Sequence, residues 1–155
     1  MDQRHFDLIV IGTGPAGTLI ATRAAERGNR VAIVEDRELG GTCAIRGCNP
    51  KKVYTNAATL MEQIRNSSYL QNGSSDCRLD WPSLHRFQQQ FVTPVPQMRR
   101  EKYAAAGVQV IEGTAVFAAP NEIDVASIRY TADNFAIAAG AVPAPLNFPG
   151  HEAVL

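Results

Sequence analysis

The chain has 155 residues, 45% of them hydrophobic and 19% charged, with 15 basic and 15 acidic side chains. That length supports one domain with its own core. Balanced charge removes the electrostatic basis for binding nucleic acid or an anionic membrane, and no apolar run approaches the roughly 18 residues of a membrane helix. The N-terminal residues run directly into a short apolar segment without the long apolar stretch and cleavage site of a signal peptide, so a cytoplasmic protein is expected. Three cysteines, Cys43, Cys48 and Cys77, are an odd number, which argues against a structural disulfide framework.

Phe6–Ile11 is almost continuously apolar and predicts a parallel strand buried on both faces. The glycine stretch Gly12-Thr13-Gly14-Pro15-Ala16-Gly17 follows at once. Ala16–Arg27 carries small and apolar residues at helical spacing, with Gly28 as its stop, and Arg30–Glu35 predicts a second strand. This βαβ context turns a bare glycine match into a dinucleotide site. Gly12 permits the turn out of the strand, Gly14 lets backbone approach a pyrophosphate, and Gly17 allows close helix packing. The helix N-terminus presents free N–H groups to the phosphates. Glu35, closing the second strand, is placed to accept from a ribose diol and to repel a 2′-phosphate. The bland alternative is a tight strand-to-helix turn with no ligand.

A polar connector, Asp36–Leu39, leads to Gly40-Gly41-Thr42-Cys43-Ala44-Ile45-Arg46-Gly47-Cys48-Asn49-Pro50-Lys51-Lys52. Two cysteines separated by four residues lie in a glycine-rich loop, and a helix is predicted over Lys51–Ile64 with Pro50 near its start. A pair this close forms a reducible disulfide readily. The helix N-terminus and Lys51 lower the thiol pKa, and Arg46 adds positive charge. Zinc needs four ligands, and three cysteines with the scattered His5, His85 and His151 do not supply a set, so no metal is expected.

Asn66–Asp80 reads as a polar loop in which Cys77 is an incidental thiol. Asp80 is positioned as a helix N-cap or its neighbour. Leu84, Phe87, Phe91 and Val92 form one apolar stripe, expected to face the core. Pro94 and Pro96 predict a kink or two helices between Ser83 and Ala106, ended by Gly107. Short strands are predicted at Val108–Ile111, Thr114–Ala118, Glu122–Val125 and Ser127–Thr131, the last three as an antiparallel meander, with turns at Ala119-Pro120-Asn121 and Asp133-Asn134. Phe135–Gly140 predicts a further buried strand, and the proline-rich Ala141–Gly150 an exit linker.

Taken together, these stretches resemble the flavin-dependent pyridine nucleotide-disulfide oxidoreductases, the family of glutathione reductase, dihydrolipoamide dehydrogenase and mercuric reductase. The family's Gly-Gly-Thr-Cys-x-x-x-Gly-Cys-x-Pro-[Ser/Lys]-Lys pattern is matched by Gly40, Gly41, Thr42, Cys43, Gly47, Cys48, Pro50, Lys51 and Lys52. Ile137-Ala138-Ala139-Gly140-Ala141-Val142-Pro143 is similar to its Ile-Ala-Thr-Gly-x-x-Pro, with Ala139 in place of threonine. The resemblance implies an α/β, Rossmann-like FAD-binding domain with a parallel sheet and a small antiparallel β meander.

FAD would be held by Gly12, Gly14, Pro15, Ala16, Gly17, Glu35, Gly41, Thr42, Lys51, Thr114, Ala115, Ala139 and Gly140. Cys43 would be the interchange thiol, Cys48 the thiol against the flavin, and Lys51 a tuning residue near the flavin's reactive nitrogen. NAD(P)H would donate the electrons, a small-molecule disulfide would receive them, and the full-length enzyme would be a homodimer.

Family members continue into a nicotinamide domain and an interface domain bearing a catalytic His-Glu pair. Residues 1–145 are therefore expected to be the N-terminal part of the FAD-binding domain and residues 146–155 a linker, with the 155-residue piece inactive alone. A FAD-binding module without turnover, and half of a flavin monooxygenase or oxidase, are the alternative readings; the latter has no need of paired cysteines.

Overall fold

The computed structural model describes residues 4–67 and 77–153. Residues 68–76, which include most of the predicted Asn66–Asp80 loop, lie outside the described residues. Six strands form one sheet in the order β3-β2-β1-β6-β5-β4. They are β1 (His5–Ile11), β2 (Val31–Glu35), β3 (Gln109–Glu112), β4 (Val116–Ala119), β5 (Glu122–Val125) and β6 (Ile128–Ile137). β1 pairs in parallel with β2 and β6, and β2 with β3, while β4, β5 and the start of β6 are antiparallel.

Burial of both faces explains the unbroken apolar strands. In β2, Val31 and Ile33 enter one buried cluster, and Ala32 and Val34 enter the other. Each such Val or Ile side chain contributes about 1.5–3 kcal/mol on leaving water. The first face is covered by α1 (Pro15–Glu26) through Ala21, and by α5 (Val95–Ala105) through the fully buried Tyr103. On the other face, Ile123 and Val125 of β5 close over Phe6, Val34 and Ile111. Gly113 passes so near this β5 layer that a Cβ on it would lie 2.8 Å from Val125. The meander is therefore the curled end of the main sheet.

Two expectations need correction. Asp133-Asn134 is not a turn: β6 runs through it as a single strand of 10 residues. Its first residues pair with β5, while from Thr131 onward it pairs with β1, and Asn134 Nδ2 donates to the Asp7 carbonyl at 3.3 Å. Ladder bonds from a strand 126 residues away in sequence outweigh the local turn preference of the pair.

The aromatic stripe is the second case. α4 (Trp81–Val92) packs on α3 (Cys48–Asn66), and its buried residue is Gln88; Phe87 and Phe91 are 51% and 47% exposed and meet edge-to-face. An amphipathic stripe identifies one apolar face but not the neighbour that will cover it.

The break between α4 and α5 falls at Thr93-Pro94, as the prolines predict, and Asp80 is the N-cap, accepting from the Ser83 N–H and hydroxyl. No regular element follows β6 until the single 3₁₀ turn His151–Ala153. Among the described residues, no helix is long and apolar enough to cross a membrane.

Candidate functional site

β1 lies between β2 and β6: β2 and β3 add on one side of it, and the chain then crosses to the other side. In an open parallel sheet, that reversal leaves a crevice beyond the carboxyl ends of the strands. Here the strand ends are joined by bonds of 2.8 Å from Gly12 N–H to the Val34 carbonyl, Ala138 N–H to the Ile11 carbonyl, and Gly113 N–H to the Glu35 carbonyl. The three glycines of the first loop stand in different surroundings. Gly12, with φ +104°, would place a Cβ 2.3 Å from the Ala138 carbonyl oxygen. A Cβ on Gly17 would lie 1.9 Å from the Gly12 carbonyl oxygen. Gly14 is the N-cap of α1 and faces open space. The loop is thus closed behind and bare in front, a cradle suited to a pyrophosphate.

Glu35 is held from within. Its Oε2 accepts from the Thr13 N–H at 3.0 Å and from the Thr13 hydroxyl at 2.5 Å. Its Oε1 accepts from the Asp36 and Arg37 N–H groups, both at 3.2 Å. Partial burial opposes ionisation, but the Thr13 hydroxyl and the three backbone donors outweigh it and keep the carboxyl below its ordinary value. Sequence reasoning passed over Thr13 because it occupies a variable position of the glycine pattern. The residue is fully buried, and its hydroxyl also accepts from the Gly40 N–H at 3.0 Å.

The dithiol segment is more helical than its glycines suggest. α2 (Gly41–Ile45) carries Cys43 at its middle, and α3 begins at Cys48, three residues ahead of the predicted start. Gly40 (φ +134°) and Gly41 (φ +69°) adopt conformations that other residues rarely reach, and a Cβ on Gly41 would lie 2.6 Å from the Gly14 Cα. The dithiol helix is therefore seated directly on the glycine loop.

Both cysteines are half-buried free thiols. The hydrogen bond from Cys43 holds the Cys48 thiol below its ordinary value against the effect of burial, with further help from Lys51 and Lys52. The same contact, reinforced by burial, pushes Cys43 up. Cys48 is the first residue of α3, where the helix end favours a thiolate. Arg46 departs from its expected role. Its guanidinium is bound to Glu38 at 2.6 Å, and the lysines supply the charge felt by Cys48.

One cavity of about 600 Å³ joins these parts. Gly12, Gly14, Pro15 and Ala16 line it from the loop, Glu35 from β2, and Gly41, Thr42, Cys43 and Cys48 from the dithiol segment. Thr114 and Ala115 reach it after β3, and Ala139 and Gly140 after β6. Gly17 and Lys51 are not in its wall: Gly17 is buried beneath the loop, and Lys51 is exposed on α3. The cavity also meets Ala138 and Val142, beyond the residues expected from sequence.

A bare glycine cradle, an inward-held carboxylate and a thiol pair on one cavity fit a dinucleotide carrying a redox ring, which is the chemistry of FAD. The sequence profile described as pyridine nucleotide-disulphide oxidoreductase matches residues 6–155. The chain belongs to this family.

Among curated members of the pyridine nucleotide-disulphide oxidoreductases, a glutathione reductase from Nostoc sp. (strain PCC 7120) is 32% identical over 147 residues. A glutathione reductase from Burkholderia cepacia is 33% identical over 143 residues, and a dihydrolipoyl dehydrogenase from Mycoplasma genitalium is 30% identical over 148. The matches cover 92–95% of this chain but 32% of each relative, so the chain spans about a third of their length.

Proposed function

We propose that this chain is the FAD-binding portion of a disulfide reductase whose redox dithiol is Cys43 and Cys48. The observation that carries this reading is the single cavity shared by the phosphate loop, Glu35 and both thiols. FAD, when bound there, would supply two-electron chemistry between NAD(P)H and the thiol pair. Gly12, Gly14, Pro15 and Ala16 would hold its pyrophosphate, Glu35 its ribose, and Thr42, Thr114, Ala115, Ala139 and Gly140 would line its remaining length. Residues 146–155 would lead toward the nicotinamide domain of the whole protein.

The thiol chemistry follows from the ionisation order. Of the two thiols Cys48 ionises the more readily, and Cys43 is the thiol that donates to it. Passing that proton to Cys48 makes Cys43 the nucleophile. Its Sγ attacks a substrate disulfide, forming a mixed disulfide and expelling one substrate thiolate, which takes the proton from Cys48. The Cys48 thiolate then attacks the Cys43 Sγ, releasing the second substrate thiolate and leaving a Cys43–Cys48 disulfide. The substrate disulfide gains two electrons and the cysteine pair loses two.

A low-molecular-weight disulfide is the proposed substrate, in keeping with the Lys51-Lys52 pair and with the glutathione reductases among the relatives. The whole enzyme would act as a homodimer in a reducing compartment such as the cytoplasm.

The test is reconstitution of the 155-residue chain with FAD, followed by dithionite reduction and absorption spectroscopy. A long-wavelength thiolate-to-flavin charge-transfer band is expected. Cys48→Ser should abolish it and Cys43→Ser should leave it. The opposite pattern would reverse the two roles. A full-length protein that binds FAD yet never reduces a disulfide with NAD(P)H would reduce the reading to a module without turnover.

A further inference from the structure

The Glu35 carboxylate is bound asymmetrically. Oε2 lies on the part-buried side and takes both short bonds from Thr13, whereas Oε1 lies on the exposed side and takes the two longer bonds from its own chain neighbours. The direction of the Thr13 hydroxyl is determined by its partners. The Gly40 N–H can only donate, so it takes a lone pair of Thr13 Oγ1, and the hydroxyl proton is left for Glu35. Gly40 is itself held close on its other side, where a Cβ would lie 2.7 Å from Val95 of α5. The Thr13 carbonyl accepts from Thr18, whose hydroxyl meets the buried Tyr103 hydroxyl at 2.8 Å. Thr13 is therefore bonded at its N–H, its hydroxyl and its carbonyl, with no freedom to turn.

We propose that Thr13 is the positioning residue of the nucleotide site: it locks Oε2 of Glu35 inward so that Oε1 is presented to a ribose diol, and through Gly40 it sets the seat of the dithiol helix against the same carboxylate. This rests on the reading of the cavity as a FAD site and adds the residue that orients its ribose acceptor. The charged and titratable groups around Glu35 are Tyr103 from α5, Glu112 as its register partner on β3, Arg100 bound to that glutamate, and Asp36 and Arg37 in the following turn. None of these donates a side-chain hydrogen bond to Glu35 among the described residues. Thr13 is the side chain that governs its orientation.

Two measurements on Thr13→Val, Thr13→Ala and Thr13→Ser test this. The first is a carbon NMR titration of the Glu35 carboxyl without cofactor. Removing the hydroxyl leaves the burial and takes away the strongest donor, so the Glu35 pKa should rise in Thr13→Val and Thr13→Ala and return toward wild type in Thr13→Ser. The second is FAD affinity across pH, read by quenching of flavin fluorescence. The hydroxyl-deleted variants should bind about tenfold more weakly at neutral pH, the effect of one charge-assisted bond.

Binding that needs ionised Glu35 is retained above its lowered pKa and lost as pH falls through it. That loss should therefore begin at higher pH in Thr13→Val than in wild type. Thr13→Ala guards against a Val variant that fails to fold. An unchanged Glu35 titration in both hydroxyl-deleted variants, or a Ser variant as impaired as Val, overturns the proposal. A wild-type chain that binds no FAD at any pH overturns the FAD reading and the ribose role with it, while the carboxyl titration still decides whether Thr13 controls Glu35.

Discussion

A Cβ on Gly17 would lie 1.9 Å from the Gly12 carbonyl oxygen, whereas one on Gly14 would meet nothing within 4 Å. Gly17→Ala should therefore destabilise the chain by about 2–3 kcal/mol in denaturant unfolding. Gly14→Ala should unfold within about 0.5 kcal/mol of wild type yet lose nucleotide binding, because its methyl would enter the cavity. The glycine pattern was readable in the sequence, but the distinct duty of each glycine was not.

The thiols make a similar point. Spacing alone made Cys43 and Cys48 a pair, and the contact between them separates their ionisation. Cys48 should be alkylated by iodoacetamide at a lower pH than Cys43, read by peptide mass analysis. Stabilisation from the Cys48 thiolate is fully present above the ordinary value of 9.0 and fades as pH falls through the lowered one. Cys43 contributes below 9.0 and loses its contribution as pH rises through its raised value. Cys43→Ala, which removes the donor to the Cys48 sulfur, should move Cys48 alkylation to higher pH.

At the scale of elements, α1 and β2 follow directly from local pattern, since a helical run between two apolar strands needs no distant partner to be recognised. α4 and β6 do not. The stripe on α4 was clear, but α3 rather than the sheet became its neighbour, leaving Phe87 and Phe91 outside. β6 crosses a polar pair because β1 and β5 together supply its ladder. The start of α4, by contrast, is a local matter. Asp80→Ala should lower the Tm by removing the cap on Ser83. Hydrogen bonds from Ser83 hold the Asp80 carboxyl below its ordinary 3.8. The cap's contribution is present above that value and fades as pH falls through the lowered one, so the melting curves of wild type and variant should converge in acid.

At the scale of the whole molecule, Tyr103 links the layers. Its ring is buried among Val10, Ile33, Leu39 and Val108, and its hydroxyl reaches Thr18 on α1. Tyr103→Phe should cost about 1 kcal/mol for the lost hydrogen bond, and Tyr103→Ala about 3–5 kcal/mol for the cavity, both from denaturant midpoints. Because Thr18 also bonds the Thr13 carbonyl, Tyr103→Phe should perturb flavin affinity more than its distance from the cavity suggests. Nothing in the pattern around Tyr103 distinguishes it from any other aromatic residue near a helix end.

Family, βαβ unit, the acidic end of the second strand and the close cysteine pair are all legible in the order of residues. Each is a local arrangement whose chemistry depends on residue type and short spacing. Folding is what brings the glycine loop, carboxylate and thiols to one cavity, rests Gly41 on Gly14, and lets Thr13 hold Glu35 and Gly40 together. Those contacts join residues about 22 to 27 positions apart, through a variable position of the motif. Local periodicity carries no record of which buried hydroxyl will find which carboxylate, because packing of the β-strand ends and α2 brings them together.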